Sequence, residues 1–282
     1  MTDDFEDPRR VLARHGLSPK RSYSQNFLVS PRAVTAITKA CQLQAGDAVV
    51  ELGAGCGTLT MALARTGAKV FAVERDPDML RVLAAEKGEL DIELVAADAK
   101  QLDLGDFVRE GGRISVAGNL PYAITGAIFR NLVEQHTRVA RAVLMVQREV
   151  RDRLVAAPGT ADYGALTVFT TQVFAVETVL HLPRTAFHPP PRVTSSVVRL
   201  SPAPRAERSL HFDRLVRAAF QARRKTLRNA LAQALGVAIT DAVLQAAGID
   251  GIRRGETLSV EEYASLATHL AALGASPTHG SS

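Results

Sequence analysis

Residues 48–60 read Ala-Val-Val-Glu-Leu-Gly-Ala-Gly-Cys-Gly-Thr-Leu-Thr, an apolar run that breaks into a glycine-rich turn and then becomes helical. No other stretch constrains the fold as tightly. Residues 48–52 are too short and too apolar for anything but a buried strand. Glycines follow where the backbone must turn sharply and let a ligand lie against it. The alternation continues on both sides. Ser30-Pro31 is an N-cap with proline at the first helical position and opens a helix to 41. Strands are predicted at 69–73, 92–96, 114–117 and 142–146, and helices at 58–65, from Asp76-Pro77 to 85, and at 124–134. Helices at 148–156 and 164–173 and a late strand at 193–200 follow. Strand and helix in alternation predict a parallel sheet covered by helices.

Beyond residue 200 the pattern changes. Ser-Pro-Ala-Pro-Arg-Ala-Glu-Arg at 201–208 has no apolar periodicity and reads as a linker. Only helices are predicted after it, at 212–221, 225–235, 241–247 and 260–273, the last opened by a Ser259/Glu262 capping box. The fold class is therefore α/β with a smaller all-α C-terminal domain. The expected division is a segment 1–30, an α/β domain 31–202, a helical domain 203–274 and a disordered tail 275–282. A length of 282 residues agrees with two domains. Hydrophobic residues at 46% and charged residues at 22% exclude wholesale disorder. No apolar run reaches the ~20 residues of a membrane span, and the start lacks the cationic and apolar regions of a signal peptide. Cys41 and Cys56 are the only cysteines, which suits a reducing compartment and argues against a zinc cluster. A soluble cytoplasmic monomer without metal is expected.

Lys and Arg total 34 against 29 Asp and Glu, a net of +5. The distribution says more than the sum. Asp3, Asp4, Glu6 and Asp7 precede Arg9, Arg10, Arg14, Lys20 and Arg21. A second basic block holds Arg205, Arg208, Arg214, Arg217, Arg223, Arg224, Lys225 and Arg228, opposed only by Glu207 and Asp213. Such a block is either a solvated helix face or a surface for nucleic-acid phosphates.

The glycine spacing at 53, 55 and 57 is G-x-G-x-G, one residue short of the pyrophosphate-binding spacing. Glu51, just before the loop, would repel a phosphate. Both features suit a cofactor with no phosphate and a positive centre, namely S-adenosylmethionine. Glu74 ends the second strand of the alternating series, where a carboxylate accepts both ribose hydroxyls. Asp98 closes the third, in reach of the exocyclic amine of an adenine. In open parallel sheets ligands bind beyond the carboxyl ends of the strands, where all three features lie.

The fourth strand runs into Asn119-Leu120-Pro121-Tyr122. An adenine amine is a poor nucleophile because its lone pair is delocalised into the ring. Acceptors aimed at its two N–H bonds hold the nitrogen nearer tetrahedral, and the Asn119 side-chain oxygen with the Leu120 carbonyl supplies them. Pro121 fixes the turn. Tyr122 offers a stacking face for an unpaired base and an electron-rich face for a cation.

Asn119 to Tyr122, together with Glu-Leu-Gly-Ala-Gly-Cys-Gly-Thr-Leu-Thr at 51–60 and Gln25-Asn26-Phe27-Leu28, resembles the ribosomal RNA adenine N6,N6-dimethyltransferase family, nearest its small-subunit (KsgA/RsmA) branch. Phe-His-Pro-Pro-Pro-Arg-Val at 187–193 and Phe-Gln-Ala-Arg-Arg-Lys-Thr-Leu-Arg-Asn at 220–229 extend the likeness. The resemblance implies a Rossmann-like class I methyltransferase domain and S-adenosylmethionine as cofactor. It implies Asn26 and Leu28 at the cofactor site, Gly53 at the methionine part, Glu74 at the ribose, Asp98 at the adenine and Asn119 at the reacting end. Tyr122 and Phe187 would sandwich the target base, and Arg223, Arg224, Lys225 and Arg228 would grip rRNA or pack on the α/β domain. The implied reaction is N6 dimethylation of two adjacent adenosines near the 3′ end of 16S rRNA, within the 30S subunit or its precursor, with a role in small-subunit biogenesis. Two departures stand out: Ser24 where the family usually has glycine, and Ala54 where proline is common. The alternatives are a 23S rRNA dimethyltransferase of the macrolide-resistance group and a non-methylating rRNA-binding assembly factor.

Overall fold

The structure is a computed structural model that describes residues 5–108 and 111–275. In chain order, Asp7 caps α1 (Pro8–Arg14) by accepting the Arg9 N–H at 2.9 Å. A short strand, β1 (Phe27–Leu28), leads to α2 (Pro31–Cys41), which Ser30 caps as predicted. There follow β2 (Ala48–Leu52), α3 (Thr58–Ala64), β3 (Lys69–Glu74), α4 (Pro77–Glu86), β4 (Ile92–Ala96), β5 (Ile114–Asn119), α5 (Thr125–Glu134), β6 (Val139–Gln147) and α6 (Arg148–Leu154). Next are α7 (Ala165–Val173), β7 (Phe174–Leu182), β8 (Phe187–His188) and β9 (Ser195–Pro202). The chain closes with α8 (Leu210–Gln221), α9 (Leu227–Leu235), α10 (Val237–Ala247) and α11 (Val260–Ala275).

Every predicted strand and helix is present, within a few residues at its ends. The strand β7 was not anticipated. It starts directly where α7 stops, with no glycine or proline between them, so the punctuation that separates elements in a sequence is missing there. The helix α1 escaped because Pro-Arg-Arg-Val-Leu-Ala-Arg is too short and too charged to show a period.

The chain divides into two units, Met1–Arg151 with Ala175–Pro202 and Asp152–Phe174 with Ala203–Ser282. This differs from the single boundary at 202/203 that the linker suggests. Tyr163 and Val168 share a core with Phe212, Leu231 and Tyr263, so their burial assigns 152–174 to the helical unit. In that unit Ser259 and Glu262 form the reciprocal capping box of α11. The tail expected beyond Ala275, and the acidic residues Asp3 and Asp4, lie outside the described residues. Among the described residues no helix is long and apolar enough to cross a membrane. None of their His, Cys, Asp and Glu side chains form a group suited to a metal ion.

In the first unit a seven-stranded sheet has the order β4-β3-β2-β5-β6-β9-β7. β2 pairs in parallel with β3 and β5, as do β3 with β4 and β5 with β6, whereas β9 runs antiparallel to β6. The chain steps outward from β2 to β4 and then returns to the other side of β2. Strand order thus reverses between β2 and β5, and a crevice opens beyond their carboxyl ends. Val49, Val50, Val70, Val116 and Val143 are fully buried in the sheet, each contributing ~1.5–3 kcal/mol by leaving water.

The two central strands approach unusually closely at one point. A Cβ on Gly118 would lie 2.6 Å from the Leu52 carbonyl oxygen, a contact that backbone cannot relieve cheaply. G118A is therefore expected to destabilise the protein by about 1–3 kcal/mol in urea unfolding. G126A, in the exposed first turn of α5 with nothing within 4 Å of its Cβ, is expected to be neutral or stabilising by up to ~1 kcal/mol.

Candidate active site

The crevice is lined from four directions. Residues 22–28 come from the N-terminal segment, and 53–56 and 58–59 from the glycine turn and the start of α3. Glu74 and Arg75 follow β3, Asp98 follows β4, and Asn119 to Ile124 follow β5. Asn26, Leu28, Gly53, Glu74, Asp98, Asn119, Leu120, Pro121 and Tyr122 thus share one cleft. Sequence separations of nearly a hundred residues collapse because parallel strands deliver their ends to the same edge.

The turn between β2 and α3 needs its glycines. Gly53, Gly55 and Gly57 all have positive φ, at 75°, 56° and 93°. A Cβ at Gly55 would press on the Phe27 ring at 3.2 Å. The result is a cradle of bare backbone facing the cleft. Cys56 lies in this turn, 3% exposed, and burial pushes its thiol up to about 11, so it is no nucleophile at neutral pH.

Glu51 behaves differently from the standing negative charge that the sequence suggests. It is 1% exposed, and burial pushes its carboxyl up to about 8. At neutral pH it therefore keeps its proton. Its Oε2 has no hydrogen-bond partner although the residue lines the cleft. A cationic ligand with N–H donors is the kind of group that satisfies such an atom and draws its proton off.

Glu74 is held more firmly than expected. Its Oε1 accepts the Arg75 and Asp76 N–H groups at 2.8 Å each, and its Oε2 accepts the Gly55 N–H at 2.9 Å. A carboxylate has about four acceptor sites. As held here Glu74 keeps spare acceptor capacity on Oε2, which accepts only the Gly55 N–H. Asp98 caps the turn at 99–101 by accepting the Lys100 N–H at 3.0 Å. Burial by itself would raise its pKa, but that N–H, the Lys100 ammonium and Arg75 outweigh it and hold the carboxyl below the usual range.

Asn119 ends β5, and its Nδ2 donates to the Asn26 carbonyl at 2.8 Å. This bond orients the amide: the nitrogen is occupied, and Oδ1 has no donor among the described residues. The Leu120 carbonyl likewise accepts no bond among them, while the Leu120 N–H is tied to Met145 at 3.3 Å. Two consecutive residues therefore present unused acceptors. Tyr122 is half-buried in the cleft wall, and its hydroxyl bonds Ser195 at 2.8 Å.

The N-terminal segment is tied down by a buried acid. Asp76 is fully buried and accepts Lys20 Nζ and Gln25 Nε2, each at 2.8 Å. Lys20 also reaches Asp78, and Arg14 and His15 both bond Glu86 at 2.6 Å. Lys20 is thus an anchor of this segment. Ser24 adopts the left-handed conformation at φ 53°, which explains why glycine suits this position. Ser195 carried no motif of its own and Asp76 showed only as a helix start, since their importance lies in partners distant in sequence.

Phe187 and two of the basic residues are engaged elsewhere in the fold. Phe187 does not line the cleft. It pairs with Leu28 in the β1–β8 ladder and is 3% exposed within the core. Of the basic residues, Arg223 bonds Glu256 at 2.6 Å and the carbonyls of Ala161 and Tyr163, and Arg228 forms a two-pronged pair with Asp241. The partners of both lie within the helical unit. Arg224 and Lys225 are exposed and have no ion pair among the described residues.

A doubly wound sheet with a glycine cradle and acids at successive strand ends defines the Rossmann-like methyltransferases that use S-adenosylmethionine. The family model for ribosomal RNA adenine dimethylase matches residues 16–272. The ribosomal RNA small subunit methyltransferase A of Anaeromyxobacter sp. (strain K) is 44% identical over 94% of this chain and 98% of its own. That of Myxococcus xanthus is 45% identical over 93% and 94%. Among solved structures, a dimethyladenosine transferase from Plasmodium falciparum superposes with a TM-score of 0.78 at 24% identity, covering 88% of this chain and 98% of that one. The 23S rRNA methyltransferase ErmE does so at 0.66 and 26%, covering 87% and 100%. The chain belongs to the ribosomal RNA adenine dimethylase family, and it is an S-adenosylmethionine-dependent enzyme of that class.

The buried Glu51 gives a test of the cleft's electrostatics. Its raised pKa means that the folded state holds a proton which the unfolded chain has lost. The stability it contributes is full below the ordinary carboxylate pKa and is lost as pH rises through about 8. E51Q carries no such proton. Thermal melts of the ligand-free protein are expected to show Tm falling between about pH 5 and 8 in the wild type relative to E51Q, and parallel curves would refute this.

Proposed function

We propose that the chain dimethylates N6 of two adjacent adenosines near the 3′ end of 16S rRNA, in the cytoplasm, within the 30S subunit or its precursor. The relatives at 44–45% identity, which are small-subunit methyltransferases over nearly their whole length, support the choice of subunit. The same substrate suits a contribution to small-subunit biogenesis.

The observation that carries the chemistry is the pair of unused acceptors, Asn119 Oδ1 and Leu120 O, at the switch point of the sheet. An adenine amine offers two N–H bonds to two acceptors, and accepting both hinders conjugation of its lone pair with the ring. Once one N–H has been replaced by a methyl group, one acceptor suffices for the second round. No side-chain base is called for, since the nitrogen becomes acidic as it is alkylated and loses its proton to water. Tyr122 stacks on the base, which must leave its helix to reach the cleft. Phe187 pairs with Leu28 of the N-terminal segment.

In the cofactor half, Gly53 and Gly55 allow close approach of the methionine part. Glu74 Oε2 takes a ribose hydroxyl, Asp98 takes the adenine amine, and Asn26 and Leu28 close the site from the N-terminal segment. The buried Glu51 lends a counter-charge when a cation is present. S-adenosylmethionine, when bound, supplies an electrophilic methyl group on a sulfonium.

N119A is expected to lower the turnover of 30S methylation by at least about a hundredfold, comparable to removing one preorganised polar group from other active sites. Cofactor affinity measured by calorimetry should change little. Near-normal turnover would overturn the assignment, and labelling of 50S in preference to 30S particles would overturn the substrate.

For the rRNA grip, the free cations Arg224 and Lys225 are assigned phosphates, and the paired Arg223 and Arg228 are assigned to the scaffold. R224A/K225A is expected to weaken particle binding and to reduce the slope of log K against log salt by about two. R228A, by contrast, is expected to lower Tm through loss of the Asp241 pair while leaving the salt slope in place.

A further inference from the structure

The structure assigns Ser195 a role in the reaction, as the residue that positions the stacking face of Tyr122. This rests on the reading of Tyr122 as the platform for the target base. Ser195 begins β9 and is 1% exposed. Its place is fixed on both sides. The Thr194 carbonyl before it accepts the Arg148 N–H at 3.0 Å, and Ser195 itself lies opposite Gln147 at the end of the β6–β9 ladder. Successive strand side chains point to opposite faces, and the two serines here do. Ser196 bonds His181 Nδ1 at 2.9 Å, while the Ser195 hydroxyl turns to Tyr122 at 2.8 Å.

A tyrosine hydroxyl lies on the axis of its ring, so a hydrogen bond at that far end fixes the direction in which the ring projects. Tyr122 sits in a three-residue turn between β5 and α5, not in a regular element. Its own backbone therefore restrains the ring less than a strand or long helix would. The residue is only half-buried, so packing alone does not hold it in place. The hydroxyl is the one polar handle, and a buried serine on an interior strand grips it. Burial keeps this phenol protonated well above neutral pH, so the handle is always present as a donor and acceptor. A stacked base inherits the ring's orientation, and its amine inherits the alignment with Asn119 Oδ1 and Leu120 O. Small losses of alignment at a reacting atom are costly in rate.

The test is a double-mutant cycle on 30S methylation, with wild type, S195A, Y122F and S195A/Y122F, read as kcat, KM for the particle and cofactor affinity. S195A and Y122F are each expected to lower kcat about tenfold, with cofactor affinity unchanged, since a hydrogen bond of this kind is worth up to about that factor. The double variant should lose no more than either single one, because both remove the same bond. S195T, which restores a hydroxyl at the same place, should recover most of the rate.

S195A at wild-type kcat would overturn the proposal, and so would losses that multiply in the double variant. If S195A does not fold, Y122F removes the other half of the bond from a half-buried ring, and wild-type kcat for Y122F would overturn it equally. Y122A separates the proposal from the reading beneath it. Full activity of Y122A removes the stacking platform altogether, whereas an inactive Y122A beside a fully active S195A removes only the positioning role.

Discussion

The close approach of β2 and β5 is the constraint on which the rest of the site depends. Gly118 lets the two strands lie against each other, and both end at the same edge of the sheet. One end becomes the glycine cradle and the other becomes Asn119. A Cβ on Gly53 would lie 3.7 Å from the Asn119 carbonyl, so the cofactor half and the acceptor half of the cleft touch. Reversal of strand order at this point keeps the crevice open, because no strand crosses it.

A second layer of order comes from the N-terminal segment. Its last residues reach the cleft only because Asp76, buried at the start of α4, holds Lys20 and Gln25. The carbonyl of Asn26 then meets Asn119, and β1 pairs with β8. The chain of contacts runs from Asn119 through Asn26 and Gln25 to Asp76, and from the Asp76 N–H to Glu74. The residue at the reacting end and the acid at the ribose end are thus fastened to one network. Buried polar groups are costly unless satisfied, so this network has few alternative arrangements.

Much of the fold and much of the cleft could be read from local pattern. The run 48–60 announces strand, turn and helix, and the acids at 74 and 98 follow from where strands end. Asn119 to Tyr122 combine turn geometry with chemistry in consecutive residues. Other features were hidden for physical reasons. Glu74 has three backbone donors because the turns after β2 and β3 converge on it, which spacing does not reveal. Phe187 looks like a stacking residue by type, but it is buried in the core beside Leu28. Arg223 and Arg228 resemble Arg224 and Lys225 in sequence, yet two are neutralised by acids 13 and 33 residues away.

The sequence by itself determined the alternation that builds a doubly wound sheet, the glycine cradle, and the identity of the polar groups at successive strand ends. These are encoded in short stretches, because strand period, turn chemistry and helix caps act over a few residues. Tertiary structure alone decided which of those groups have spare hydrogen-bonding capacity and which way they face. That depends on partners such as Asn26 for Asn119, Ser195 for Tyr122 and Asp241 for Arg228. A hydrogen bond or a buried charge acts through space over a few ångströms, and only the folded chain brings those atoms together.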